Sequence, residues 1–288
     1  MRYRVASLSM CALASLSVPP ATASECHHHE TALGVSRVLH VDTTDGPLFG
    51  TLQYEQTLDL EPKEVVLTFD DGPHPYTTRR VLEALRKECV KATFFPVGNM
   101  AEQYSQVLQE VSADGHTIGA HTWSHRNMRR LSKARATQQI ERGFRAVDEA
   151  ADVQIAPFFR FPGLNDSKAM IAHAARQNYA VFSTDVTSDD WRGIGPRTII
   201  RRTMTRLRRQ NGGIVLFHDT KRATATALPG LLKALKKDGY RIVHIVPHQT
   251  YDALRDIPMT GVPEAATVAD LKDPSHTGAN DASAPIKR

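Results

Sequence analysis

The stretch Val65-Val66-Leu67-Thr68-Phe69-Asp70-Asp71-Gly72-Pro73 decides the fold. Its first five residues, apolar, β-branched or aromatic, read as a buried strand, and Asp-Asp-Gly-Pro stops that strand with a strong turn signal. Working outward, Thr77 to Lys87 carries Val81, Leu82 and Leu85 at helical spacing. Residues 92–97 then predict a strand, 101–113 a helix ending at Gly115, 117–120 a strand, and 132–150 a long helix capped by Ser132. Further strands are predicted at 158–161, 180–184, 213–217 and 241–246, with helices near 167–177, 196–210 and 225–238. Seven strands alternating with helices predict a parallel, barrel-like α/β fold with one active face at the strand C-termini.

Chemistry is therefore expected just after each strand. The first delivers Asp70 and Asp71. Neighbouring carboxylates repel, so a cation held by one would relieve the repulsion and leave the other free as a base, although a plain Asx-turn also fits a lone Asp-Asp-Gly-Pro. The third strand ends in Gly119-Ala120-His121-Thr122-Trp123-Ser124-His125. Two histidines at i and i+4 suit one metal ion, but the zinc-protease pattern fails because Thr122 stands where its glutamate must be. Arg160, set in Phe159-Arg160-Phe161-Pro162-Gly163, needs a carboxylate partner or a path to water. Thr184-Asp185-Val186-Thr187-Ser188-Asp189-Asp190-Trp191 follows the fifth strand, and Leu216-Phe217-His218-Asp219 ends the sixth. Taken alone, His218 reads more readily as a structural histidine than as a functional one. All five signals fall on one rim.

In this order, Thr-Phe-Asp-Asp-Gly-Pro, His-Thr-Trp-Ser-His, Arg-Phe-Pro-Gly, Ser-Asp-Asp-Trp and Leu-Phe-His resemble the five motifs of the polysaccharide deacetylases with a NodB-homology domain, carbohydrate esterase family 4. The resemblance spans about residues 63–248. It implies a distorted (β/α)7 barrel, one divalent metal (zinc, with cobalt possible), and removal of N-acetyl groups from GlcNAc-containing glycans such as chitooligosaccharide or peptidoglycan. Carried over by motif, Asp70 resembles the catalytic base, and Asp71, His121 and His125 the metal ligands. Arg160 would orient Asp70, His218 would be the general acid, and Asp190 would tune it. Trp191 and Leu216 would line the acetyl pocket, and the Gly163 N–H would serve the oxyanion. Two positions depart from the family pattern: Gly163 replaces a tyrosine, and Thr187 stands where an aspartate is common. An O-acetyl (acetylxylan) esterase is the alternative within the same family, and a non-catalytic glycan-binding protein the alternative outside catalysis.

Composition sets the remaining bounds. Hydrophobic residues at 41% and charged residues at 23% allow a sizeable core and exclude wholesale disorder. A formal charge of +5 is mild and spread along the chain, so nucleic acid is not an expected partner. The arginines at 197, 201, 202, 206, 208 and 209 read first as a solvated helix face, with an anionic polymer as the sharper alternative. Arg2 and Arg4, the apolar run 5–18 and Ala21-Thr22-Ala23 predict a signal peptide over 1–23, a mature start near Ser24 and export to the periplasm or medium. No stretch is long enough for stable membrane insertion. Residues 24–44 read as an N-terminal extension that includes Cys26-His27-His28-His29-Glu30, residues 45–252 as the catalytic domain, and 253–288 as a disordered tail. Cys26 and Cys89 remain to pair or not.

Overall fold

The computed structural model describes residues 31–248. The expected signal peptide, the histidine run and the expected tail lie outside the described residues. Within them the strands are β1 (Arg37–Val41), β2 (Leu48–Phe49), β3 (Glu64–Asp70), β4 (Thr93–Phe95), β5 (Thr117–Ile118), β6 (Phe158–Phe159), β7 (Ala180–Phe182), β8 (Val186–Thr187), β9 (Gly213–His218) and β10 (Arg241–Pro247). The helices are α1 (Thr77–Lys87), α2 (Gly98–Gln103), α3 (Ser105–Ala113), α4 (Lys133–Ala151), α5 (Lys168–Arg176), α6 (Pro196–Gln210) and α7 (Arg222–Lys237).

Every strand pairing is parallel, the arrangement that strand–helix alternation dictates. One edge of β3 is covered by β9 along its length. The other edge is shared, with β10 against Glu64 and Val65 and β4 against Thr68 to Asp70. From β4 the hydrogen bonds pass to β5, across an Ala120–Phe159 bridge to β6, and on to β7. The chain leaving β7 becomes β8 and pairs with β9, and the Asp185 N–H donates to the Ile214 carbonyl at 3.0 Å. The path thus returns to its start, as a distorted barrel.

Strand periodicity then sorts the core. Val65, Leu67 and Phe69 of β3 point outward to the helices, where Phe69 stacks on Phe94 and Phe217 at 5.1 and 5.6 Å. Val66 belongs to the inner cluster with Phe95, Phe158 and Phe182. Thr68 and Asp70 share the parity of Val66, so β3 carries its polar groups into the barrel mouth.

Three strands escaped the sequence pattern. β2 and β8 have two residues each, too few to show a period. β1 falls in the stretch expected to be an N-terminal extension, yet it pairs with β10 along its whole length, so paired structure starts well before residue 45. The helix expected over 101–113 is two helices, broken at Tyr104 (φ −129°), whose ring lies 6.4 Å from that of His74. Its first half also starts earlier, at Gly98, because the carbonyls of Thr122 and Trp123 accept the N–H groups of Gly98 and Asn99. α7 begins at Arg222 rather than 225. Cys89 is disulfide-bonded, and Cys26 lies outside the described residues.

Helix α4 crosses directly over the loop after β5. A Cβ at Gly143 would sit 2.5 Å from the Thr122 carbonyl carbon, closer than real atoms approach. Gly143→Ala is therefore expected to lower stability by about 1–3 kcal/mol through overpacking, despite alanine's better helix propensity. Urea unfolding measures it, and an unchanged midpoint would show that α4 does not bear on that loop.

Candidate active site

The register of β3 against β9 pairs Asp70 with His218, so two strand ends place both groups on one rung at the barrel mouth. Asp70 is buried, and its Oδ1 accepts a hydrogen bond from Arg160 Nη1 at 2.7 Å. Arg160 is wholly buried. It also donates to Thr68 Oγ1 (2.8 Å), the Phe182 carbonyl (3.1 Å) and the Ser183 carbonyl (2.9 Å), and its guanidinium lies 4.4 Å from the centre of the Phe95 ring. A buried cation needs this full complement of partners.

Asp71 leaves the strand with φ +75°, which turns its carboxylate away from that of Asp70 and toward the loop of β5. Its Oδ1 lies 3.3 Å from His125 Nε2 and 3.6 Å from His121 Nε2. One ligand atom from each of Asp71, His121 and His125 lies within 4.8 Å of the others. His121 Nδ1 is 2.7 Å from the Arg160 carbonyl, which only accepts, so the proton belongs on Nδ1 and Nε2 presents a lone pair toward Asp71. Burial pushes His121 down to about 4, which keeps the imidazole neutral. Burial alone would raise Asp71, but the fields of His218, His125 and His121 outweigh it and hold the carboxyl below its usual range. Asp71 Oδ1 is buried and has no hydrogen-bond partner among the described residues. An ionised carboxylate with an orphaned oxygen beside imidazole nitrogens is a donor set that fits a divalent ion, and three protein ligands would leave such an ion a free position.

On the facing side, His218 Nδ1 is 2.7 Å from Asp190 Oδ1. The other Asp190 oxygen accepts the His218 backbone N–H (2.7 Å) and the Thr224 hydroxyl (2.6 Å). Burial would lower the His218 pKa, but the Asp190 and Asp71 carboxylates prevail and raise it to about 9, so the ring carries its proton at neutral pH. His218 Nε2 lies 3.9 Å from Asp71 Oδ2. Trp191 stands edge-on to the His218 ring at 5.7 Å, Leu216 is buried in β9, and Gly163 is exposed in a 3-10 turn over Pro162–Leu164.

Asp70, Asp71, His121, His125, Arg160, Asp190, Trp191 and His218 thus come together at one mouth. Sequence reasoning missed several supporting groups. Thr68 had a usable signal, since it precedes Asp70 by one strand period. Thr224 and Ser183 had none. Asp219 is buried behind Gly72 and accepts from Thr78 Oγ1, and burial lifts its carboxyl to about 7. Half of the basic run on α6 is committed to acids: Arg202 and Arg206 bind Asp189 at 2.6 and 2.8 Å, and Arg208 binds Asp238 at 2.7 Å.

Comparison with known proteins agrees with this architecture. The family model described as polysaccharide deacetylase matches residues 57–182. A peptidoglycan-N-acetylglucosamine deacetylase of Bacillus cereus is 31% identical over 188 residues, covering 64% of this chain and 86% of that protein. A peptidoglycan-N-acetylmuramic acid deacetylase of Bacillus subtilis, PdaC, is 31% identical over 198 residues, which cover 68% of this chain but only 40% of that relative's length. Among solved structures, a Bdellovibrio bacteriovorus peptidoglycan deacetylase superposes with a TM-score of 0.68 at 32% identity, covering 74% of this chain and 59% of that one. A Bacillus anthracis pseudoenzyme of carbohydrate esterase family 4 superposes at 0.58 with 25% identity, covering 65% of this chain and 69% of that one. The chain belongs to the polysaccharide deacetylase family.

Proposed function

We propose that this chain is a metal-dependent hydrolase that removes N-acetyl groups from a GlcNAc-containing glycan, peptidoglycan or chitooligosaccharide, and releases acetate. The observation that carries this reading is the opposed pair, Asp70 held by Arg160 and His218 held by Asp190, flanking the Asp71–His121–His125 cluster. A zinc or cobalt ion held by those three residues would supply Lewis acidity to the acetyl carbonyl and to water. Asp70 then acts on the chain's own account as the base that takes the proton of the attacking water. Arg160 occupies Asp70 Oδ1 and leaves Oδ2 toward His121, 3.9 Å away, so the free oxygen faces the reacting atoms. The Gly163 N–H donates to the oxyanion, and losing such a donor typically costs about 10²–10³-fold. An amine cannot leave as an amide anion, so His218 Nε2 must protonate it while Asp190 holds Nδ1. Trp191 and Leu216 wall the acetyl methyl. Export follows in this reading from the apolar run before Ala21-Thr22-Ala23, and N-terminal sequencing from the native host checks it.

Mass spectrometry of defined N-acetylated chitooligosaccharides, peptidoglycan fragments and acetylxylan tests the reading. Exchange of acetyl for hydrogen on glucosamine nitrogen supports it. Reaction on acetylxylan alone makes the chain an O-acetyl esterase, and no acetate from any substrate makes it a glycan-binding member of the family.

The metal arm is separate. Purified chain should bind about one divalent ion, lose turnover on chelation and regain it when zinc or cobalt is added back. Full turnover with metal analysis confirming removal would exclude a catalytic ion.

A further inference from the structure

We propose that Gln53 and Tyr54, on a strap between β2 and β3, are positioning residues for the oxyanion loop at residues 162–166; this rests on the role given above to Gly163. The loop holds two consecutive residues in the left-handed region, Gly163 (φ +58°) and Leu164 (φ +55°). Glycine tolerates that conformation and leucine resists it, and the turn's own bonds, from the Leu164 N–H to the Phe161 carbonyl and from the Asn165 N–H to the Pro162 carbonyl at 2.9 and 3.1 Å, are joined by contacts from outside. The strap supplies them. Gln53 Nε2 donates to the Leu164 carbonyl at 2.6 Å, and Tyr54 OH donates to Asp166 Oδ2 at 2.8 Å. Burial and the Asp166 carboxylate keep the Tyr54 phenol protonated as that donor.

The same contacts reach the rest of the site. Gln53 Oε1 accepts from Ser183 Oγ at 2.8 Å, and the Ser183 carbonyl is one of the groups that hold Arg160. From the opposite side, Arg129 Nε donates to the Asp166 carbonyl at 2.7 Å, four residues after His125. The loop is thus pinned between the strap and the segment carrying the histidines.

A clamp must itself be rigid. Gly50 accepts from the N–H groups of Gln53 and Tyr54 at 3.2 and 3.0 Å and donates to the Gln56 carbonyl at 2.9 Å. Thr51 and Thr57 bind the two carboxylate oxygens of Asp185 at 2.8 and 2.7 Å. Gly50 (φ +109°) lies so close to the barrel that a Cβ would meet the Thr184 nitrogen at 2.5 Å. The family match begins at residue 57, so Gln53 and Tyr54 precede it.

The test uses the full chain with Gln53→Met, Tyr54→Phe and both together, changes that delete polar atoms while keeping most of the volume. Two readouts are needed: amide hydrogen exchange of the peptide covering 161–167, and acetate release from N-acetylated chitooligosaccharide. In the double variant, exchange of that peptide should rise and kcat should fall about tenfold or more, with KM within about threefold. Melting should stay above the assay temperature, and the visible spectrum of added cobalt should match the parent's. Unchanged exchange overturns the clamp. Faster exchange with parental kcat overturns its catalytic meaning, as does a loss of kcat that tracks loss of the cobalt spectrum. If the parent releases no acetate while exchange in the double variant still rises, the clamp holds and the functional reading fails instead.

Discussion

Asp70→Asn is expected to retain about one divalent ion per chain and to release acetate about 10²–10⁴-fold more slowly than the parent, the usual worth of a positioned base. The substitution keeps size and the hydrogen bond from Arg160, and removes the capacity to take a proton together with the charge that pairs Arg160. Asp71→Ala behaves differently, losing metal affinity first, because it deletes the orphaned oxygen between His121 and His125. His218→Ala resembles Asp70→Asn, with metal retained and turnover lost, since it faces Asp71 only at 3.9 Å and protonates a different atom. Metal content measured beside rate for each variant decides the assignment. If Asp70→Asn sheds the metal while Asp71→Ala keeps it, the two roles are exchanged; if His218→Ala runs near the parent rate on an N-acetyl substrate, another group is the acid.

Arg160→Met is expected to cost about 3–5 kcal/mol of stability, the penalty for leaving a buried charge unpaired. Methionine fills much of the volume but strands the Asp70 carboxylate and the carbonyls of Phe182 and Ser183. Adding Asp70→Asn to that background should recover part of the loss, because no charge is then left buried, whereas in the parent the same change should not stabilise. Urea unfolding of the four proteins forms the cycle. A cost below about 1 kcal/mol for Arg160→Met, or no recovery in the double variant, would mean that water reaches Asp70 and the pair is not dry.

The helices and the long strands were legible because each carries its own local signal. β3 is apolar over Val65–Leu67 and at Phe69, and stops at a turn tetrad. α4 is capped by Ser132, whose hydroxyl accepts the Arg135 N–H at 3.4 Å, as its capping chemistry predicts. What stayed hidden depends on partners distant in sequence. β8 is a strand only because β9 lies beside it, and β1 because β10 does. Adjacency could not tell Asp70 from Asp71, since the difference is a backbone angle: Asp70 continues the inward face of Thr68, and the left-handed turn at Asp71 swings the next carboxylate to the histidines. Gln53 and Tyr54 look like ordinary loop residues until the chain brings them more than a hundred positions forward to Leu164 and Asp166.

Arg160 has two ends, and they hold different side chains. Its guanidinium grips Asp70, while its own carbonyl receives the ring of His121. The gap between Asp70 and His121 is therefore gauged by one residue, as the jaws of a calliper are by one beam. A slip of β6 would carry both jaws together and leave their spacing unaltered. In the proposed reaction, changes in the surrounding loops would then alter which glycan enters without resetting that distance.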